Sequence, residues 1–291
     1  YEHVGMRLKG NSSLRGLTDG RNTSSSDTPE TLPWLIRLDR NVEGQTHDGV
    51  ADIVIRSNNS ETALNEAVAL ALLEQAGLAS QQAAPASVSM NGSESVLRLI
   101  VEHPDDDAWQ DGSFDDDGAL YKAESTGDWS YRGDDPDAYT EVFDQEGGKS
   151  VADLTPLIGF LEFINNSDDA EFAAELPNRL DVDAFATYLA MMDLIENTDD
   201  IDGPGNNSYL WWDAATERFT IVPWDMNLAL GGFGPGPGGA GGFPGRGDRP
   251  DRGLPEIPEG GFPEGGFPGG EPPEGWIPEG GFPGGERPSG F

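Results

Sequence analysis

Short apolar segments separated by polar breaks dominate the first hundred residues, and they predict β-strands. The strand candidates are residues 3–10, 33–39, 50–56, 85–90 and 95–102. Asn91-Gly92 lies between the last two segments, and this dipeptide favours the tight turn of a β-hairpin. The N-terminal part of the chain is therefore predicted to be rich in strands.

Apolar positions at helical spacing occur in one N-terminal segment and again in the second half of the chain. The first helix is expected to begin at Ser60, where Ser60-Glu61-Thr62-Ala63 can cap it, and to end at Gly77. Three further helices are predicted at 151–165, 168–176 and 182–196. Strands concentrated in the N-terminal part of the chain and helices in the C-terminal part predict an α+β protein of two lobes.

Three segments lack a pattern that could bury a core. Residues 11–31 are rich in Ser, Thr, Gly and Asp and are predicted to form a flexible loop. Residues 103–118 are almost all polar and are predicted to be an acidic excursion rather than packed structure. Residues 233–291 repeat Gly, Pro, Glu and Phe and are predicted to be a disordered tail. One domain is expected over 1–232, with an N-lobe over about 1–102 and a C-lobe over about 119–232.

The charge balance of the chain restricts its partners. It carries 53 Asp and Glu against 17 Lys and Arg, a net charge of −36, which would repel nucleic acid and anionic membranes. Salt would screen the self-repulsion of such a surface, so we hypothesise a salt-adapted source, with an ordinary acidic secreted protein as the alternative. The sequence contains no run of 18 apolar residues, so it predicts no membrane span. The start at Tyr1 without an apolar leader is expected of a mature or trimmed chain, and it leaves secretion open.

Several common kinds of site find little support. The chain has no cysteine, which excludes disulfides, thiolate metal sites and cysteine nucleophiles. The histidines, His3, His47 and His103, show no spacing typical of a zinc site or a Ser-His-Asp arrangement. The acidic runs 105–107 and 115–117 invite a calcium-binding interpretation, but the Gly and Glu spacing of a calcium loop is not met. A solvated loop is the preferred interpretation there.

The candidate chemistry is concentrated near residue 200. Residues 206–213 and 221–227 predict a strand, a turn and a strand with oxygen donors at both ends. Asn207 and Asp225 are hard oxygen ligands of the kind that hold Mg²⁺ on nucleotide phosphates. An Asp-rich loop, 197–202, comes immediately before them. This order of parts is that of the phosphoryl-transfer site of protein kinases.

The same residues resemble the CotH family of secreted, spore-coat-type atypical protein kinases. The similarity rests first on Asn197-x-Asp199, Asn207-x-Tyr209-Leu210 and Pro223-Trp224-Asp225-x-Asn227. Further blocks similar to the family are Val4–Ser13, Leu32–Asp39, Asn91-Gly92 with Leu99–Glu102, and Leu120–Lys122. All of them occur in the family order, over about residues 1–232. The resemblance implies a two-lobed kinase-like fold, ATP as the phosphate donor and Mg²⁺ or Mn²⁺ as the metal.

The resemblance also implies a metal site at the predicted hairpin. Asp225 is expected to bind the metal from the rigid end of its strand. Asn207 is expected to supply the second metal position, although the register could shift by one residue to Asn206. Asn227 could add a further carboxamide ligand or support the site from behind.

The catalytic carboxylate is expected in the Asp-rich loop. Asp199 fits the family pattern and is preferred. Asp202 is the alternative, since its offset from Asn207 is that seen between Asp and Asn in kinase catalytic loops. Asp200 is a third possibility.

Phosphate-binding groups are expected near the N-terminus. The loop that contains Ser12 and Ser13 follows a predicted strand, and its amides and hydroxyls could cover phosphates. Lys9 brings positive charge to the start of this loop in a chain with only three lysines.

The resemblance further implies a cation on the next strand and a glutamate on the first helix. Arg37 is expected to clamp phosphates, although the family often has lysine on that strand, and Glu66 is expected to pair with that cation. Glu102 and Lys122 are additional candidates for the nucleotide pocket.

The sequence thus predicts an extracellular or surface kinase that phosphorylates Ser or Thr of structural proteins. Thr23-Ser24-Ser25-Ser26 and Thr28 are candidate autophosphorylation sites, and the tail, with Ser289 alone, is a poor substrate. The rival hypothesis is a non-catalytic coat or adhesin protein that uses the kinase fold as a scaffold. A calcium-binding structural module is a third possibility, and the sequence does not indicate an oligomeric state.

Overall fold

A computed structural model describes residues 1–10, 27–57, 63–115 and 117–230. These residues belong to one unit of the chain, Tyr1–Gly239. The predicted tail, 233–291, lies outside the described residues, as do Ser12, Ser13 and most of the predicted 11–31 loop.

The N-terminal strands form one antiparallel sheet in the order β1-β2-β3-β5-β4. The strands are β1 Gly5–Leu8, β2 Trp34–Arg37, β3 Asp52–Ile55, β4 Ala83–Val88 and β5 Val96–Glu102. Between β4 and β5, Asn91 and Gly92 both have positive φ, at 54° and 82°, as a type I′ turn requires. Strands β4 and β5 pair antiparallel on either side of this turn, so the predicted hairpin is confirmed.

Helix α1, Asn65–Gln75, packs against this sheet. It ends as predicted at Gly77, whose amide bonds the carbonyl of Glu74 while the Leu78 amide bonds that of Leu73. This pattern, with φ of +83° at Gly77, is a Schellman cap. The expected start at Ser60 is wrong by about one turn. Ala63 has a φ of 56°, which prevents the helix from extending back through it, and Ser60 lies outside the described residues.

The segment after β5 corrects the prediction of an unpacked acidic excursion over 103–118. Helix α2, Asp107–Ser113, occupies its centre and buries Trp109 and Gln110. Asp106 caps this helix through Oδ1, while its Oδ2 accepts hydrogen bonds of 2.7 Å from the amides of Ala51 and Asp52. A carboxylate that satisfies backbone amides in this way can be buried. Composition alone did not indicate this role.

The C-terminal part consists of a second antiparallel sheet and three helices. The sheet has the order β7-β6-β8-β9, with strands β6 Gly118–Ala123, β7 Phe143–Gly147, β8 Ser208–Asp213 and β9 Arg218–Pro223. The helices are α3 Thr155–Asn166, α4 Asp169–Arg179 and α5 Val182–Leu194. All three were predicted, as was the β8-β9 hairpin. Short 3₁₀ turns lie at Pro29–Thr31, Pro136–Tyr139 and Met226–Leu228.

Two apolar clusters hold these parts together. The larger lies between the helices and both sheets and includes Leu73, Leu161 and Tyr188, all fully buried. The smaller joins Leu35 and Val54 of the first sheet to strands β6, β8 and β9 of the second. The described residues therefore form a mixed α/β structure with two antiparallel sheets and five α-helices. In this part of the chain, no helix is long and apolar enough to cross a membrane.

Candidate phosphoryl-transfer site

The open end of the β8-β9 hairpin brings two predicted metal ligands together. Strands β8 and β9 pair in a register that sets Ser208 opposite Pro223, and the Trp224 amide donates to the Asn207 carbonyl over 3.2 Å. Asn207 lies directly before β8 and Asp225 comes two residues after β9, and both have left-handed backbones, with φ of 53° and 61°. Such conformations are uncommon for residues with side chains, and they cluster at functional sites.

Asp225 is joined to the first sheet by a buried arginine. Arg56 directly follows β3, and its Nη1 lies 3.0 Å from Asp225 Oδ1. Its Nη2 lies 2.6 Å from Glu66 Oε1 on α1. The side chains of Arg56 and Glu66 are 10% and 6% exposed, whereas that of Asp225 is 27% exposed. One guanidinium therefore bridges two carboxylates from separate elements.

The indole of Trp224 forms one wall beside this ion pair. The Arg56 guanidinium carbon lies 4.5 Å from the ring centroid, within the range of a cation–π contact. Lys9 Nζ lies over the same indole at 5.2 Å. Trp224 is itself buried and immediately precedes Asp225. Lys9 and Arg56, which follow strands β1 and β3, thus both contact Trp224, the residue before the candidate metal ligand Asp225.

The charge state of Glu66 depends on its surroundings. Burial raises the pKa of its carboxyl to about 7; the nearby charge of Asp225 adds to this rise and Arg56 opposes it. Burial also acts on Arg56, but the two carboxylates outweigh it and raise the pKa of the guanidinium. Arg56 therefore stays charged beside both partners.

The predicted catalytic loop packs directly beneath Asn207. Asn207 Nδ2 donates a 2.9 Å hydrogen bond to the carbonyl oxygen of Asp199, which leaves its oxygen Oδ1 as the atom that could bind a cation. Burial raises the pKa of the half-buried Asp199 carboxyl, the charge of Asp225 adds to the rise, and the Asn207 side chain opposes it. Asp199, Asn207 and Asp225 thus lie within electrostatic reach of one another.

The other acids of the loop are placed differently. Asp200 is buried, and its Oδ1 and its carbonyl oxygen accept hydrogen bonds from the amides of Gly203 and Gly205. Asp200 therefore stabilises the turn from residue 200 to residue 205. Asp202 is exposed. Asn197 is buried, with its Nδ2 3.3 Å from Met192 Sδ, so it ties the loop to the end of α5.

The chain after Asp225 is fixed from two sides. Asn65, the first residue of α1, donates through Nδ2 to the carbonyl of Leu230 over 3.2 Å. The Leu230 amide donates to the Ile195 carbonyl at the end of α5 over 2.6 Å. The helix that carries Glu66 therefore contacts the segment that follows Asp225.

The donor set suits a hard divalent ion that also binds phosphate. Among the described residues, no three His, Cys, Asp or Glu side chains are grouped to hold a metal. Mg²⁺ commonly takes only one or two protein carboxylates and completes its shell with phosphates and water. Asp225 with carboxamide oxygens fits that pattern, and Asn206 Oδ1 is a buried oxygen without a hydrogen-bond partner in the described structure. Asn227 is half-buried in the 3₁₀ turn after Asp225.

The model of one protein family matches most of the chain. That family is described as "CotH kinase protein", and its model matches residues 6–254. The chain belongs to the CotH kinase protein family. A search of curated proteins found no match.

The fold corrects one pairing that the CotH resemblance implied. Glu66 does not pair with Arg37, whose Nε instead lies 3.0 Å from Asp52 Oδ1 with the side chain 47% exposed. Strands β2 and β3 run antiparallel, so Arg37 pairs with Asp52 at one end of β3 while Arg56 follows the other end. Asp52 and Arg56 are four residues apart along the strand, a rise of about 13 Å. The partner of Glu66 in this CotH protein is Arg56.

The remaining candidates lie at different distances from the hairpin end. Lys122, on β6, pairs with Glu124, and its positive charge also lowers the pKa of Lys9, so the two lysines lie close. Glu102 ends β5, where its carboxylate accepts a 2.8 Å hydrogen bond from the Gln82 amide. That bond ties Glu102 to the neighbouring strand rather than to Asp225.

Two residues of this CotH protein's site were missed from the sequence. Arg56 directly follows the apolar run Ile53-Val54-Ile55, and a cation at such a strand end was the available signal. His103 is fully buried with its Nε2 2.5 Å from Lys9 Nζ. Lys9 lies 94 residues before His103 in the chain, so no spacing pattern could have indicated this contact.

Proposed function

We propose that this protein is a protein kinase that transfers the γ-phosphate of ATP to Ser or Thr side chains of surface or structural proteins. The proposal includes dependence on Mg²⁺ or Mn²⁺ and a location outside the cell or at its surface. It is supported most directly by one observation: Asp199, Asn207 and Asp225 meet at the same hairpin end as the Arg56–Glu66 ion pair. Protein kinases require these parts in combination.

The proposed nucleotide site lies between the two sheets, in a two-lobed arrangement. The first sheet with α1 would form the smaller lobe, and the second sheet with α3, α4 and α5 the larger one. Arg56 reaches from the first to Asp225 in the second, and Lys9 approaches Trp224 from the same side. In a chain of net charge −36, two cations directed to one carboxylate-lined position favour an anionic ligand.

Each residue has a distinct proposed role. Asp225 and Asn207 would hold the metal, with Asn206 or Asn227 as a further oxygen donor. The metal would neutralise charge on the phosphates when it is bound. Arg56 and Lys9 would orient those phosphates as fixed cations.

Asp199 would orient the acceptor hydroxyl and take its proton. The hydroxyl oxygen forms a bond to the γ-phosphorus, the bond from that phosphorus to the β-γ bridging oxygen breaks, and ADP leaves. A carboxyl with a raised pKa is suited to this proton transfer, and burial beside Asp225 raises the pKa of Asp199.

Transfer of label from γ-labelled ATP tests the proposal. The wild-type protein, Asp225→Ala and Asp111→Asn should be compared with Mg²⁺ or Mn²⁺, at low and molar salt, with a general protein acceptor. Asp111 is exposed on α2 and serves as the matched control. We expect label in the wild type and in Asp111→Asn and its loss in Asp225→Ala, with all three folded by circular dichroism.

Autophosphorylation is measured in the same samples by mass spectrometry of Thr23–Ser26 and Thr28. Absence of both label and metal-dependent ATP binding in the folded wild type would reject the kinase. It would instead favour a non-catalytic coat or adhesin scaffold.

A further inference from the structure

His103 is a buried histidine beside the candidate site. It follows the last residue of β5 and is fully buried. Its ring contacts the edge of Trp224, with centroids 5.4 Å apart and planes at 78°. Both ring nitrogens face polar groups, Lys9 on one side and the carboxylates of Asp105 and Asp52 on the other. Among the described residues Nδ1 makes no hydrogen bond to these carboxylates, so the contact of Nε2 with Lys9 is the specific interaction of this ring.

The contacts define which nitrogen carries the proton. A lysine ammonium has only donors, so His103 Nε2, 2.5 Å from Lys9 Nζ, must accept. The ring proton is then on Nδ1, which lies 3.2 Å from Asp105 Oδ2 and 3.8 Å from Asp52 Oδ2. Asp105 is in turn fixed by the Tyr209 hydroxyl, which donates to its Oδ1 over 3.0 Å. The chain of contacts runs from Lys9 through the imidazole to a residue of β8.

A neutral His103 ring can accept a hydrogen bond from the Lys9 ammonium without neutralising its positive charge. Burial, together with the nearby cations, lowers the pKa of His103 well below its ordinary value, so the ring stays neutral. Among the ion pairs of the described residues, none joins Lys9 directly to a carboxylate. Burial lowers the pKa of Lys9 to about 8, which leaves it mostly protonated at pH 7. The charge of Asp105 acts on Lys9 without forming an ion pair with it, so the ammonium can still bind another partner.

The location of Lys9 indicates what that partner is. Its Nζ lies over the Trp224 indole that also contacts Arg56, one residue before Asp225. The Lys9 backbone is anchored by a 3.1 Å hydrogen bond to Pro33, so the ammonium is oriented at both ends of the side chain. An oriented ammonium without an ion-pair partner among the described residues, beside a candidate metal ligand, suits a phosphate oxygen.

We propose that His103 is a positioning residue, which holds the Lys9 ammonium toward the phosphates of the bound nucleotide. The identity of the ligand in this inference rests on the proposed function. The contact between His103 and Lys9 is independent of that function. His103 acts through Lys9, so it touches no reacting atom.

Trace acetylation of lysines tests the link without any nucleotide. Lys9 and Lys149 are compared by mass spectrometry in the wild type, His103→Phe and His103→Gln; Lys149 is exposed and serves as the internal control. We expect the labelling rate of Lys9, taken relative to that of Lys149, to rise in His103→Phe, because the Lys9 amine loses its acceptor and becomes free to react. His103→Gln, which keeps an acceptor for Lys9, should restore the wild-type ratio. An equal Lys9 rate in all three folded proteins would overturn the proposal.

A double-mutant cycle tests the role toward phosphate. Affinities for Mg²⁺·ATP and for adenosine are measured in the wild type, His103→Phe, Lys9→Met and the double variant. We expect His103→Phe and Lys9→Met each to weaken ATP binding about 10-fold, with little change for adenosine and no further loss in the double variant. Additive losses would overturn the proposal, because His103 would then act independently of Lys9. If the wild type binds no ATP, the nucleotide assignment fails with the proposed function, while the labelling result alone decides whether His103 holds Lys9.

Discussion

Arg56 and Asp225 join the two sheets at the candidate site, with Nη1 and Oδ1 3.0 Å apart. The same guanidinium holds Glu66 on α1, so one buried cation connects β3, the helix and the end of β9. In protein kinases a strand cation pairs with the helix glutamate, and a separate aspartate binds metal. In this chain the cation contacts both, which orients Asp225 before any ligand is present.

Replacement of Arg56 by Met should destabilise the fold by about 3–5 kcal/mol, because it leaves the buried Glu66 and the partly buried Asp225 without their cation. The free energy of unfolding from urea titration measures this. Arg218→Met is the matched control, since Arg218 forms a 3.6 Å pair with Asp181 in which both side chains are more than a third exposed. That pair should contribute less than about 1 kcal/mol. Equal losses in the two variants would mean that Arg56 contributes no more than a surface arginine.

Much of the local structure was predictable because short-range chemistry determines it. Gly77 ended α1 and Asn91-Gly92 formed the turn, since each needs only positive φ at specified positions. The acidic segment 103–118 was misread for the opposite reason. Asp106 is buried because it bonds amides of Ala51 and Asp52, which lie more than 50 residues away in the chain.

The candidate site was predictable where its residues are neighbours in sequence. Asp199, Asn207 and Asp225 lie on one loop and one hairpin, so their proximity follows from local structure. The pairing of Glu66 depends instead on which end of an antiparallel strand faces α1. That is a tertiary property, and Arg37 and Arg56 could not be distinguished without it.

Among the loop acids, Asp199→Asn should have the largest effect on catalysis. Loss of a residue that takes the hydroxyl proton lowers the rate about 100-fold or more while nucleotide affinity is retained. Asp202→Asn should stay within a few-fold of the wild type, since Asp202 is exposed. Steady-state kinetics with an acceptor protein measure both. A loss of activity confined to Asp202→Asn would assign the catalytic role to Asp202 instead of Asp199. Asp200→Ala removes the hydrogen bond from the Gly203 amide that closes the loop, and it should lower the stability of the fold.

Gly127→Ala should disturb the candidate catalytic loop, although Gly127 lies outside that loop. Gly127 has a φ of +60°, and a Cβ added there would overlap the carbonyl oxygen of Pro204. Pro204 and Gly205 connect the acidic loop to Asn207, and Trp129 Nε1 already donates to the Gly205 carbonyl over 2.8 Å. We therefore expect weaker metal-dependent ATP binding as well as lower stability.

Gly133→Ala is the control for that substitution. Gly133 also has a positive φ, at +90°, but nothing lies within 4 Å of an added Cβ. It should lose only about 1 kcal/mol from backbone strain and keep the affinity of the wild type. If both variants bind ATP equally well, the contact between Gly127 and Pro204 does not support the site.

Asp105 should make the stability of the protein fall as the pH rises toward neutrality. Burial, with the charge of Glu146, raises the pKa of its carboxyl from the ordinary 3.8 to about 7. Its contribution to stability is therefore complete below pH 3.8 and is lost as the pH rises through about 7. Asp105→Asn lacks this titration, so the free energy of unfolding of the wild type should fall relative to that of the variant as the pH rises from about 4 to about 7, with a slope of at most about 1.4 kcal/mol per pH unit.

Urea titrations at several pH values measure this difference between the wild type and Asp105→Asn. The exposed Asp111→Asn is the control, and its difference from the wild type should stay constant with pH. A constant difference for Asp105→Asn would show that this carboxyl ionises normally in the fold. The contact with Tyr209 and the nearby charge of Lys9, which both lower the pKa of Asp105, would then offset its burial.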